Sequence, residues 1–433
     1  MRPYTGAMNI YLFFMVVILI GDALAQWLVD HLNVKRLRTD IPEAFRGVYD
    51  ADKYKTSQEY LRESTRFDSL RSLVTVTVVV AFLVMGGFGW VDGMARGLGW
   101  GMIPTGLVFA GLLVVLSTFM SLPFSVYETF SLEQRYGFNR TTPGTFAGDL
   151  LRSLLLTAIL GGILLSTILW FFSSAGSWGW LIAWGAVVAF QAFLLLIAPT
   201  VIFPLFNKFT PLEEGALKAA IEDYARKQEV SLRGLFTIDG SKRSTKANAY
   251  VSGLGRWKRI ALFDTLIEKH TVPELVAVLA HEVGHAKLGH IRKMLAVSVL
   301  TTGVMFYLLS IFLSQPGLIE GLGVSPEPVG DHRPLYAGLF AFGLLATPLQ
   351  RALSIVVNAL SRKHEYEADA FAAHTTGAVD AMIDALKKLS VDNLTNLTPH
   401  PAKVWLEYSH PPMLERIAAL ARLAEGERAE GRT

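Results

Sequence analysis

Seven long apolar runs, nearly free of charge, lie along this chain at about 9–28, 72–92, 101–122, 150–172 and 178–203, then at 294–313 and 335–350. A helix needs about 20 apolar residues to cross a bilayer, and in lipid only helices and closed barrels satisfy their own backbone hydrogen bonds. The second run, "LVTVTVVVAFLVMGG", is β-branched enough for a strand. It is several times the usual strand length of ~5–6 residues, so length favours a spanning helix. With 52% hydrophobic residues, 18% charged and a mean hydropathy of +0.38, the chain fits a bilayer protein better than two or three soluble domains. The expected fold is all-α, with seven transmembrane helices.

Lys and Arg set the expected orientation, because basic connections stay on the cytosolic side. The first connection carries Lys35, Arg36, Arg38, Arg46, Lys53, Lys55, Arg62, Arg66 and Arg71, and the next has only Arg96. Arg135 and Arg140 follow the third run, the 173–177 turn has no charge, 207–293 is basic, and 314–334 has only Arg333. An outside N-terminus and a cytosolic C-terminus satisfy every connection. "ALA" at 23–25 resembles a signal-peptide cleavage site, but cleavage there would leave the basic first connection outside, so the first run is read as a span. A net charge of +3, from 40 basic and 37 acidic residues, offers no excess for a nucleic-acid partner. With no cysteine, any metal must be held by histidine and carboxylate.

The expected organisation is a membrane region over 1–206 with cytosolic loops at 29–71 and 123–149, a soluble segment at 207–293, two further spans within 294–360, and a second soluble segment at 361–423. The first soluble segment opens with an amphipathic stretch, "PLEEGALKAAIEDYARKQEV", followed by strand-like runs "LFTI", "ANAYVSGL" and "RIALFDTLI". The tail at 424–433 has the composition of a disordered segment. The soluble segments and the bundle are expected to build one body.

"TVPELVAVLAHEVGHAKLGHIRK" (271–293) reads as one helix, with Thr271 as N-cap and Pro273 and Glu274 in its first turn. His281 and His285, at i and i+4, share a face that can chelate one Zn²⁺, and Glu282 beside them is placed to act as general base on a water in the open coordination position. Gly284 costs about 1 kcal/mol in a helix interior relative to Ala, which suggests that something packs closely there. A catalytic zinc takes three protein ligands. Histidines at 270, 290, 332, 364, 374, 400 and 410 compete with the carboxylates for the third place, and spacing alone does not select one. The best local candidate is "SRKHEYEADAFAAH" (361–374), where Glu365 and Asp369 share a face beside the small Ala368 and Ala372. There Glu365 would ligate and Asp369 would orient a histidine from behind. His290 is read as a helix-surface residue. Asp22 and Arg351 should point into the bundle or a wet cavity, and Arg152 reads as a snorkelling charge at a span end.

HEVGH (281–285), SRKHEYEADAFA (361–372), STKANAYVSG (244–253) and YSHPPMLERI (408–417) together resemble the Ste24-type integral-membrane zinc metalloproteases, the type-I CAAX prenyl proteases of the M48 family. "YETFSLEQRYGFN" (127–139) and "FPLFNKFTPLEEG" (203–215) resemble that family's connecting loops. The resemblance implies a barrel of seven helices around a large water-filled chamber, with a gluzincin-type zinc domain and its small β-sheet at the cytosolic end. It assigns the third zinc ligand to Glu365 and a supporting role to Asp369, and it brings Asn248 and His410 to the scissile peptide and its oxyanion. Asn248, Ala249 and Tyr250 would form an edge strand that takes an extended peptide by strand addition. One Zn²⁺ per chain, a peptide or C-terminal protein tail that carries a lipid in the CAAX case, and a bacterial inner membrane or an ER-type membrane complete the expectation. A broader quality-control protease of the same chemistry is the alternative reading. A transporter or receptor with structural zinc is more remote, because a structural site has no use for Glu282.

Overall fold

The computed structural model describes residues 9–230, 232–252 and 258–430; Gly253, which closes one of the motifs above, lies outside them. Among the described residues six helices are long and apolar enough to cross a bilayer, and a bent pair, taken as one span, gives the seventh crossing. Helices α1 (Ile10–Lys35) and α2 (Ala51–Val84) are the first two, and α3 (Gly87–Arg96) turns the chain into α4 (Met102–Tyr127). The fourth crossing is α5 (Pro143–Leu156) and α6 (Gly162–Ser174), joined by a π-helical turn at Thr157–Gly161; the fifth is α7 (Gly179–Ile197), which runs on into α8 (Phe203–Phe206). Much of the expected 29–71 loop is helix, because α2 begins at Ala51, where the Asp50 carboxylate caps the Lys53 N–H at 3.2 Å.

Neighbouring spans touch in sequence order, and the seventh closes on the first. Phe67 of α2 stacks on Tyr127 of α4, a Cβ on Gly106 of α4 would lie 3.0 Å from Leu169 of α6, and Trp184 of α7 donates to the Val299 carbonyl in the sixth crossing at 3.0 Å. The ring is shut where Arg351 Nε of the seventh crossing meets Asp22 Oδ1 of α1 at 2.7 Å, so these two intramembrane charges neutralise each other as expected of polar groups at that depth. Only 6–17% of each unbent span's apolar window is buried, which fits helices lining a hollow ring rather than filling a solid bundle. The large apolar core sits at one end, where Met15, Leu83, Phe109, Leu169, Leu313 and Tyr336 close the ring.

The chain between the fifth and sixth crossings forms β1 (Phe209–Pro211), α9 (Ala216–Lys227), β2 (Leu232–Ile238), β3 (Ala249–Ser252), β4 (Lys258–Phe263) and α10 (Asp264–Ile267). The sheet order is β1-β2-β4-β3, with β2 and β4 parallel and both outer pairs antiparallel. This leaves β3 at an edge, paired with β4 from Ala249↔Leu262 to Ser252↔Arg259. Strand β1 falls within a stretch read only as a connecting loop, and "DTLI" forms a helical turn instead of extending its strand.

The expected single helix over 271–293 is two. Helix α11 (Val272–Lys287) opens with a capping box between Thr271 and Glu274, and Gly289, at φ +70°, turns the chain before α12 (His290–Leu313) makes the sixth crossing. After α13 (Pro316–Gly321), the seventh crossing is α14 (Leu335–Leu345) and α15 (Thr347–Thr376), which meet at 58°. Pro348 has no N–H for the Leu344 carbonyl, and the Thr347 hydroxyl donates to it instead, at 3.0 Å. Helix α15 then runs unbroken through the SRKHEYEAD motif, so the expected boundary between 360 and 361 falls inside a helix. Helices α16 (Val379–Asp392), α17 (Pro401–Glu407) and α18 (Met413–Glu430) complete the chain. The tail read as disordered continues α18 through Glu430.

Candidate metal centre

Two helices carry the candidate ligands, and small residues let them approach. A Cβ on Gly284 of α11 would lie 3.2 Å from the Ala368 Cα and 3.1 Å from Phe371 Cδ1, both on α15. At this crossing His281 Nε2 and His285 Nε2 are 3.1 Å apart, and the Glu365 carboxylate lies 3.5 Å from the first and 3.2 Å from the second. Four tetrahedral ligands at about 2.1 Å from zinc stand about 3.4 Å apart, so one nitrogen from each histidine and the Glu365 carboxylate, which turns Oε2 to His281 and Oε1 to His285, are spaced to hold one ion with a position to spare.

The surroundings suit a metal too. Asp369, 1% exposed, places Oδ1 2.8 Å from His281 Nδ1. Arg416 of α18, itself buried, grips the same carboxylate through Nε at 2.8 Å and Nη2 at 2.6 Å and brings Nη1 within 3.4 Å of Glu365. A paired carboxylate behind a histidine fixes the tautomer that offers Nε2 to a metal. Burial alone would keep His281 neutral, but its bonds to Asp369 and Glu365 outweigh it and lift the imidazole pKa to about 9. A metal arriving at Nε2 therefore competes with a proton.

Glu282, half-buried, lines a cavity of about 340 Å³ together with His285, His290, Met294 and His364. His364 does not join His281, His285 and Glu365 in that cluster; its ring stacks on His290, with the ring centres 4.1 Å apart. His410 is exposed, with Nε2 3.5 Å from Glu365 Oε1 and Nδ1 2.9 Å from Ser409 Oγ. Asn248 is exposed immediately before β3; its side-chain oxygen accepts from the Ala249 N–H at 2.8 Å, and its carbonyl accepts from Phe263 at 3.1 Å. The Tyr250 backbone pairs with Ala261 in the edge strand, which packs beside α11.

Two features escaped the reading of the residues. Arg416 lies inside a quoted motif, but nothing in the sequence marks it as the buried partner of Asp369. His290, read as a surface residue, is 2% exposed, because Gly289 folds the start of α12 back against His285 and α15. Arg152 does sit half-exposed at a span end, held by Asp149 at 3.0 Å.

A sequence model described as "CAAX prenyl protease N-terminal, five membrane helices" matches residues 30–208, and one for "Peptidase family M48" matches residues 211–424. A "CAAX prenyl protease 1 homolog" of Oryza sativa is 34% identical over 88% of this chain and 90% of its own length. The "CAAX prenyl protease 1" of Saccharomyces cerevisiae is 34% identical over 90% of each chain, and a Homo sapiens homolog is 31% identical over 91% of each. The crystal structure of S. mikatae Ste24p superposes with a TM-score of 0.90 at 31% identity, covering 95% of this chain and 99% of that one.

Proposed function

The chain belongs to the CAAX prenyl protease 1 family of M48 metallopeptidases and is a multi-pass membrane enzyme, and we propose that it uses one zinc ion to hydrolyse peptide bonds near the C-terminus of prenylated CAAX-type proteins or peptides. The observation that carries this reading is the closely spaced triad His281, His285 and Glu365, with Glu282 beside it, at the end of the ring away from its closed apolar core. These three residues would hold the ion. Zinc bound there supplies a Lewis acid that polarises the scissile carbonyl and lowers the pKa of water.

The protein's own groups do the rest. Glu282 takes the proton from the attacking water and delivers it to the leaving amine. His410, exposed beside Glu365, donates to the oxyanion, and Asn248 holds the peptide next to the bond that breaks. The edge strand β3, which carries Ala249 and Tyr250, pairs with β4 on one side only among the described residues, and on its other side an extended substrate adds as a further strand. Asp369 and Arg416 keep His281 in its ligating tautomer. The distribution of Lys and Arg supports an outside N-terminus, with the metal centre, the soluble segments and the C-terminus in the cytosol.

Glu282→Gln should retain zinc and lose cleavage of a farnesylated CAAX peptide, whereas Glu365→Ala should lose both and His364→Ala should keep its zinc. Metal analysis and peptide cleavage on the purified variants decide it. Near wild-type hydrolysis by Glu282→Gln, or loss of zinc from His364→Ala alone, would overturn the assignment.

A further inference from the structure

The two ligand histidines are backed in different ways. Behind His281 stands a carboxylate, Asp369. Behind His285 stands another histidine: His285 Nδ1 is 3.0 Å from His290 Nδ1, and His290 Nε2 is 2.9 Å from Glu367 Oε2. An ionised carboxylate only accepts, so His290 donates from Nε2 to Glu367. A neutral imidazole that donates from one nitrogen accepts at the other, so His290 Nδ1 takes the hydrogen bond from His285 Nδ1–H. That leaves the lone pair of His285 on Nε2, the atom facing His281 and Glu365.

We propose that His290 and Glu367 form a positioning relay that fixes the tautomer and ring orientation of His285, so that all three ligand atoms are poised for the metal together. The relay rests on the reading of His285 as a zinc ligand. Its packing suits this role, since His290 is 2% exposed, Gly289 at φ +70° aims it back toward α11, and His364 lies flat against its ring with 9° between the planes. Glu367 sits on α15, the helix that carries Glu365 and Asp369, so one rigid element orients both ligand histidines and supplies the third ligand.

His290, His364 and Glu367 also lie close enough to chelate a cation of their own. Their geometry opposes it. A metal lies near the plane of each imidazole it binds, and two stacked, parallel rings place their lone pairs in separate planes. Both His290 nitrogens, moreover, already have partners.

The test is zinc affinity of the full-length enzyme in detergent, measured by competition with a chromogenic chelator. His290→Leu keeps the bulk and removes the acceptor, and affinity should fall about tenfold or more. His290→Asn keeps an acceptor where Nδ1 stood and should recover most of the loss, which a purely structural role would not produce. Glu367→Ala should weaken binding alone yet add little to His290→Leu, because the two act as one unit. His285→Ala separates the two layers of the argument. If it loses zinc while His290→Leu binds as wild type, the relay is wrong and the metal site stands; if it retains zinc, the site reading beneath the relay fails. Equal losses in the Leu and Asn variants, additive losses in the double variant, or two zinc ions per wild-type chain falling to one in His290→Leu would each overturn the relay.

Discussion

Gly284→Ala probes the contact on which the metal centre is built. Ala gains about 1 kcal/mol over Gly in a helix interior, so in open space the substitution would stabilise α11. Gly284 is not in open space. Its new Cβ would meet Phe371 Cδ1 at 3.1 Å, the Ala368 Cα at 3.2 Å and the Ala368 carbonyl oxygen at 3.3 Å, and the last two are backbone atoms that can yield only if α15 moves. Overpacking of this kind costs about 1–3 kcal/mol, so the two terms leave a net loss of about 0–2 kcal/mol. The effect on metal binding has no such offset. Relief of the contact shifts α15 by a few tenths of an ångström one helical turn from Glu365, more than the ~0.2 Å within which metal–ligand distances hold. Zinc affinity should therefore fall about tenfold, or ~1.4 kcal/mol. Thermal unfolding in excess chelator reads the first effect without zinc linkage, and chelator competition reads the second. Gly426→Ala in α18 is the control: nothing lies within 4 Å of its Cβ, so it should only stabilise, by up to about 1 kcal/mol. A Gly284→Ala protein that gains the full ~1 kcal/mol and binds zinc as wild type would refute the close packing of α11 on α15.

Lys388 tests the start of α11. Burial would raise the Glu274 pKa, but the Lys388 ammonium at 2.7 Å and the Thr271 N–H at 2.9 Å hold it below its ordinary 4.5, so this stabilisation is present above pH 4.5 and fades as pH falls through the folded value. Lys388→Met should cost about 1 kcal/mol at neutral pH, and denaturation from pH 7 downward should show that deficit shrinking below about pH 4.5; a deficit independent of pH would contradict the charge argument. For substrate binding, N-methylation of amides near the scissile bond should sharply reduce cleavage at alternate positions, where the N–H faces β3 and its main-chain hydrogen bond is lost, and equal turnover across a methylated series would exclude strand addition. For topology, single cysteines introduced at Asp50 and Glu425 should label from the cytosolic side and those at Ala175 and Ser325 from the other; cytosolic labelling at Ala175 would break the proposed orientation.

The sequence alone determined the features that depend on neighbours along the chain. A span needs only a long apolar run, so all seven crossings were legible; a helix brings i and i+4 together, so the histidine pair and Glu282 were legible as well. Their limits were less so, because ends depend on single residues acting in context: Gly289 splits the HEVGH helix from the sixth crossing, and Pro348 with Thr347 bends the seventh. Spacing also left several histidines and carboxylates competing for the third ligand position. Only the crossing of α11 on α15 turned Glu365 toward His281 and His285, while His364 stacks on His290. The same packing buried Arg416 against Asp369 and His290 against His285, and neither contact has any local signature. Periodicity tells which side chains share a face of one helix, but what that face meets is set by the close approach of segments far apart in the chain, and there a glycine opposite an alanine decides which atoms come within bonding distance.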